Sequence, residues 1–198
     1  MIKKNNLNKN IIVSGATGFV GRNIVKNLIN NNYKVSILIR NKNKVLSIDY
    51  LKNLPKIYFD LEEYDKPIKV PQNATLIHCA WSEVKDIHSI NHIEKNYINN
   101  YYFIKNMIKN GIKNIVITGT CFEYGLQKSP IKANSITMPN DAYSISKDML
   151  HKSLRLLQNK SDFNLLWLRL FYMYGEGQNE NSIIPLLDSA LERGDKIF

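Results

Sequence analysis

With 198 residues, 44% of them hydrophobic, the chain can bury one sizeable core, and no composition shift or Pro/Gly-rich linker divides it. Two cysteines, Cys79 and Cys121, exclude a disulfide framework, and neither they nor the scattered histidines have metal-ligand spacing, so no metal is expected. The net charge of +10 comes from lysines spread among Asn and Ile rather than from a basic stripe interleaved with aromatics; this excludes nucleic acid as the expected partner and suits small anionic ligands.

The basic N-terminal residues 1–10 lack the apolar stretch of a signal peptide, and no later run is long enough to span a bilayer. A cytoplasmic protein with no membrane partner is therefore expected. The first strand is predicted at 11–14, an apolar run that enters Gly15-Ala-Thr-Gly-Phe-Val-Gly21 and then a helical pattern over 20–31. Glycines let a main chain approach a phosphate with no Cβ in the way, and the following helix offers its N-terminal N–H groups. The spacing GxxGxxG differs from the dehydrogenase form GxGxxG, but strand, turn and helix stand in the order that phosphate binding requires.

Further strands are predicted at 34–39, 56–59, 75–79, 114–118 and 165–171, mostly without two-residue alternation, as in strands covered on both faces. Helical patterns lie between and after them, at 44–52, 88–110, 142–158 and 183–192. The alternation predicts an α/β fold, a Rossmann-type doubly wound parallel sheet in the order 3-2-1-4-5-6, with ligands outside the carboxyl ends of the strands. At the end of the second strand a carboxylate would accept hydrogen bonds from a ribose. Here Ile39-Arg-Asn-Lys42 offers Arg40 and Lys42 instead, so NADP is expected, with NAD as the alternative.

Tyr143 and Lys147 stand four residues apart in a predicted helix, on one face of it. An ammonium beside a phenol favours its ionised form, and a phenol so tuned can serve as an acid or base near neutral pH.

Together these segments resemble the extended short-chain dehydrogenase/reductase family, the NAD-dependent epimerase/dehydratase type that modifies nucleotide-activated sugars. The resemblance runs over nearly the whole chain. It rests on the glycine loop, on Tyr143-Ser-Ile-Ser-Lys147, on Val116-Ile-Thr-Gly-Thr-Cys-Phe-Glu-Tyr-Gly125, and on Arg169-Leu-Phe-Tyr-Met-Tyr-Gly175 followed by Pro185. It implies a catalytic triad of Thr120, Tyr143 and Lys147. Tyr143 would exchange a proton with a carbonyl or hydroxyl oxygen, Thr120 would hold that oxygen, and Lys147 would tune the phenol and grip the nicotinamide ribose. The implied cofactor contacts are Gly15, Thr17, Gly18, Phe19, Val20 and Gly21 in the loop, then Asp60, Leu61, Cys79, Ala80, Trp81, Asn96 and Phe171, with Tyr143 and Lys147. Asp60 has a second reading as a helix cap. The implied substrate contacts are Trp81, Glu123 and Tyr172, the last standing where the family commonly has Asn.

The family's dehydratases carry an acidic pair directly after the triad hydroxyl; here those positions are Cys121 and Phe122, which points to epimerases and ketosugar reductases. The run 118–125 looks more like the reductases of nucleotide-linked 4-keto-6-deoxyhexoses, abequose and paratose synthases among them. NADPH reduction of such a sugar is the expected reaction, with an NAD-dependent 4-epimerase as the alternative. A non-catalytic dinucleotide sensor on the same fold needs the glycine loop but not the triad. Residues 1–175 are expected to form the NAD(P)-binding domain and 176–198 the start of a substrate-binding region cut short, with strand 165–171 left as a sheet edge and little sugar turnover by the chain alone. The resemblance also implies a homodimer through the two long helices.

Overall fold

The computed structural model describes residues 10–128 and 130–196; most of the basic N-terminal segment lies outside the described residues. Six strands, β1 (Asn10–Ser14), β2 (Lys34–Ile39), β3 (Lys56–Tyr58), β4 (Thr75–His78), β5 (Asn114–Thr120) and β6 (Asn164–Leu170), form one sheet in the order β3-β2-β1-β4-β5-β6. All neighbours are parallel. The chain order reverses between β1 and β4, and the crevice at that switch point is where such sheets take ligands.

Side chains alternate across the sheet, so the central strands β1, β2 and β4 feed two cores. Ile12, Leu76, Ile115 and Ile117 pack with Phe103, Ile104 and Met107 of α4 (Ile98–Lys109) and with Leu150 and Leu154 of α5 (Ala142–Gln158). Ile11, Val13, Val35 and Ile37 pack on the other face with Val25 of α1 (Phe19–Asn30) and with Val45 and Leu51 of the short helices α2 (Asn43–Leu46) and α3 (Asp49–Lys52). Each such fully buried aliphatic side chain contributes about 1.5–3 kcal/mol. This two-sided burial is why the strands read as continuous apolar runs.

Helix α5 starts where it does because Asp141 caps it. Its carboxylate accepts the Ser144 N–H at 2.8 Å, and the Ser144 hydroxyl returns to the same residue. The segment predicted as one helix over 88–110 is instead a π-helical stretch, His92–Tyr97, running into α4, and the helix predicted at 44–52 is broken into α2 and α3. Strand β6 ends the sheet, with Leu166 and Leu168 partly open to solvent, and α6 (Ile183–Glu192) buries no residue among those described. No described helix is long and apolar enough to cross a membrane.

Candidate active site

Strand β1 runs into Gly15, whose φ of +70° belongs to the left-handed region that favours glycine. A Cβ there would lie 2.7 Å from the Ala80 backbone nitrogen, and one on Gly21 would lie 2.2 Å from the Gly15 carbonyl oxygen. The loop is thus pressed against the chain leaving β4, and α1 is pressed against the loop. Gly18 caps α1 without a side-chain hydrogen bond, and no acidic residue occupies the first turn. Uncapped N–H groups at the positive end of a helix suit a phosphate.

Beside this turn opens a cleft of about 350 Å³, lined by Gly15, Thr17 and Gly18, by Arg40, Asp60 and Leu61, and across from them by Cys79, Ala80, Trp81 and Asn96. Ten of the residues expected to contact a dinucleotide therefore share one cavity. An elongated anion fits this lining, which has the glycine turn and, farther along, Arg40 and Asp60. Asn41, Lys44, Glu62, Asn99 and Asn100 also line it and were missed by motif reasoning.

Other expected contacts lie elsewhere. The side chains of Phe19 and Val20 line a separate depression with Met173 and Tyr174, so anything they give a phosphate comes from their backbone, while Gly21 serves to pack α1 on the loop. Lys42 is absent from the cleft lining and sets its ammonium 5.2 Å from the Tyr58 ring centroid. Phe171 is half-exposed beside Tyr124, and Tyr172 is 88% exposed. Glu123 is corrected outright as a substrate contact, because it is fully buried. Its carboxylate accepts from Arg169 Nε at 2.6 Å, from Trp167 Nε1 at 3.0 Å and from the Thr120 N–H at 2.9 Å. Asp60 acts as a cap, accepting from the Glu62 N–H, and also faces Arg40 Nε at 3.9 Å.

Thr120 ends β5, with its hydroxyl accepting from the Phe122 N–H at 3.3 Å. Lys147, 2% exposed, reaches from α5 to donate to the Thr118 carbonyl at 2.8 Å, and its ammonium lies 3.9 Å from the Trp81 ring centroid and 5.9 Å from that of Tyr143. Lys147 and Tyr143 thus stand together beside the carboxyl end of β5, which Thr120 closes. Their electrostatics differ from expectation. Burial pushes the Tyr143 phenol up to about 12, with the charges of Glu123 and Asp141 adding to the effect. Burial pulls Lys147 down to about 7 against the opposing influence of Glu123. The phenol is therefore not poised near neutrality, because desolvation outweighs any help from an amine that is itself only partly charged.

Buried polar networks that no motif announced surround the site. Ser14 Oγ bonds His78 Nδ1 at 2.6 Å, while the other ring nitrogen bonds Asn100. Burial lowers His78 to about 4, so it is neutral. Trp81 Nε1 donates to His92 Nδ1, and Ser82 bonds Asn96. Glu123, Asp148 and His151 come close enough to share an ion, but Arg169 already binds Glu123 and approaches His151 Nδ1 at 3.3 Å. A guanidinium in that position opposes a metal.

Residues 11–198 match the family described as NAD dependent epimerase/dehydratase, and the chain belongs to that family. It is 32% identical to the dTDP-6-deoxy-L-talose 4-dehydrogenase (NAD(+)) of Aggregatibacter actinomycetemcomitans, over 96% of this chain and 70% of that protein. It resembles the UDP-N-acetylglucosamine 4-epimerase of Methanobrevibacter ruminantium with a TM-score of 0.79 and 24% identity, over 96% of this chain and 64% of the other. The fold is also that of the Bordetella bronchiseptica enzyme WbmG in complex with NAD, with a TM-score of 0.75 and 18% identity, over 100% of this chain and 64% of the other. The expectation of NADP is corrected by these relatives, two of which carry NAD in their descriptions. Arg40 had suggested a 2′-phosphate, but it faces the carboxylate of Asp60 and so has a partner within the chain.

Proposed function

We propose that this member of the epimerase/dehydratase family binds NAD in the cleft beside Gly15 and catalyses oxidation and reduction at C4 of a nucleotide-activated hexose. The observation that carries the reading is Lys147 beside Tyr143, bonded to the Thr118 carbonyl two residues before Thr120 at the end of β5 and lying over Trp81 of the cleft lining. Gly15, Thr17 and Gly18 would hold the pyrophosphate, and Asp60 and Leu61 the adenosine end. NAD, when bound, supplies the carbon that takes the hydride from C4. Tyr143 would have to act as the phenolate, which its burial opposes and the positive charge of a bound nicotinamide would favour; in that form it would take the proton of the C4 hydroxyl, and Thr120 would donate a hydrogen bond to the same oxygen. Return of a hydride to the opposite face of C4, with Tyr143 giving back its proton, would yield the C4 epimer.

In the narrower expectation, a 4-keto-6-deoxyhexose reduced at the expense of NADPH, the cofactor is corrected, and the reduction itself has less support than the alternative. An NAD-dependent 4-epimerase cycle is the better supported reading. The 32% identity to a 6-deoxyhexose 4-dehydrogenase supports a second reading, in which the reaction stops at the ketone. Residues through 175 belong to the cofactor half in either case, and 176–198 begin the sugar-facing part. Incubating the purified protein with NAD and UDP- or dTDP-linked hexoses, and following C4 by NMR, separates the readings. Inversion at C4 marks the epimerase and a 4-ketone with stoichiometric NADH marks the dehydrogenase. No change at C4 with any such sugar, or change without NAD, rejects both.

A further inference from the structure

The loop between β4 and the π-helical stretch is fastened to itself at several points. Glu83, at φ +58°, accepts from Ser89 Oγ at 2.6 Å and from Asn91 Nδ2 at 3.1 Å. The Ile87 carbonyl accepts the Tyr143 N–H at 3.0 Å, satisfying one of the unpaired donors of the first turn of α5. Asp86 contributes its carbonyl, which can only accept, so His92 Nε2, 2.8 Å away, carries the ring proton. His92 Nδ1 is then an acceptor, and it receives Trp81 Nε1–H at 3.0 Å and Asn96 Nδ2–H at 3.2 Å. His92 is fully buried, and its ring centroid lies 5.3 Å from that of Tyr143. The indole held in this way lies with its centroid 3.9 Å from the Lys147 ammonium and its edge toward the Tyr143 ring.

We propose that Trp81 is a positioning residue for the Lys147 amine, with His92 fixing the indole so that the loop after β4 sets where that amine sits. A cation over an indole is the strongest of the cation–π pairs, and it gains weight when water is excluded, as it is here. Lys147 has three donors; Thr118 takes one and the indole face a second, which leaves one to turn toward the reacting groups. Trp81 is thereby given a task beyond lining the cleft. The inference rests on Lys147 being the amine of the proposed site, but it can be tested without turnover.

The sequence has two tryptophans, Trp81 and Trp167, so protein carrying fluorinated tryptophan gives two fluorine resonances, and Trp167→Phe identifies which is which. Several titratable groups surround the pair. His78 and Cys79 come from the β4 side, Glu123 from the turn after β5, His92 from the π-helical stretch, and Tyr143 from α5 itself. The Trp81 resonance is expected to move with pH around the Lys147 midpoint, about 7, and to lose that movement in both Lys147→Met and Lys147→Arg. Arginine keeps a charge that does not titrate and guards against simple failure to fold. A resonance that does not move, or that moves equally in both variants, overturns the proposal and assigns the titration to a neighbour. With NAD and a nucleotide sugar, Trp81→Ala is expected to lower kcat about tenfold or more and Trp81→Phe to recover most of it. Equal losses in the two also overturn it. A wild-type protein that turns over no sugar rejects the proposed function but leaves the resonance result to be judged alone.

Discussion

Replacing Gly15 by Ala tests the closest contact in the cofactor turn. The new methyl would stand 2.7 Å from the Ala80 nitrogen, 2.8 Å from the Cys79 carbonyl carbon and 2.9 Å from the Ala80 Cα. All three are backbone atoms of a segment tied to β1 through the Cys79 N–H on the Ser14 carbonyl at 3.1 Å, so they cannot swing aside as a side chain would. Forcing an L residue to positive φ costs about 1–2 kcal/mol. Overpacking against fixed neighbours adds about 1–3 kcal/mol, for a total of about 2–5 kcal/mol. Gly111 provides the control, since its φ is +93° and a Cβ there meets nothing within 4 Å, so Gly111→Ala bears the conformational cost alone. Urea unfolding of both variants against the parent should therefore separate them by about 1–3 kcal/mol, with NAD affinity falling only in Gly15→Ala. Equal destabilisation by the two substitutions would refute the close approach of the loop to the chain after β4.

Glu123→Ala should lower stability by about 3–5 kcal/mol, because it strands the Arg169 guanidinium within the site and removes the acceptor of the Thr120 N–H. Glu123→Gln, which keeps an oxygen for Trp167 and Thr120, should cost clearly less in the same denaturation assay, and a larger loss for Gln than for Ala would contradict this. For His78 the folded value, about 4, is below the ordinary 6.5, so the unfolded chain binds more protons between them. Its contribution is fully present above pH 6.5 and is lost as pH falls toward 4, amounting to about 3 kcal/mol. Unfolding midpoints measured between pH 7 and 5 should show that slope, and His78→Gln should flatten it; an unchanged slope would remove His78 from the acid response.

The strands and α5 could be read from the sequence because two-sided burial leaves continuous apolar runs and because Asp141 and Ser144 form a local cap. Helix α6 was equally clear as a pattern, since its spacing is a local property even where it buries nothing. The cleft was legible wherever a backbone position demanded a particular residue, as at Gly15 and Gly18. Side-chain direction was not legible. Nothing local to Arg40 announces Asp60 at the end of the neighbouring strand, twenty positions on, and that pairing is what the NADP expectation lacked. Glu123 is a substrate contact only by resemblance, and its partners Trp167 and Arg169 arrive from β6, more than forty positions away. The His92 network depends on a π-helical turn whose register no apolar periodicity reveals. Burial was the term missing from the phenol's tuning, since it follows from packing of the whole site and not from the spacing of two residues.

The most direct test of the proposed chemistry follows a deuterium placed on C4 of a UDP- or dTDP-linked hexose during a single turnover with NAD. The wild-type protein should pass the label to the cofactor. Tyr143→Phe should bind NAD as tightly and pass the label about a hundredfold or more slowly, the usual scale for a lost acid–base group. Tight NAD binding with no label transferred by the wild type, or equal transfer by the two proteins, would contradict the assignment of this site to oxidation at C4.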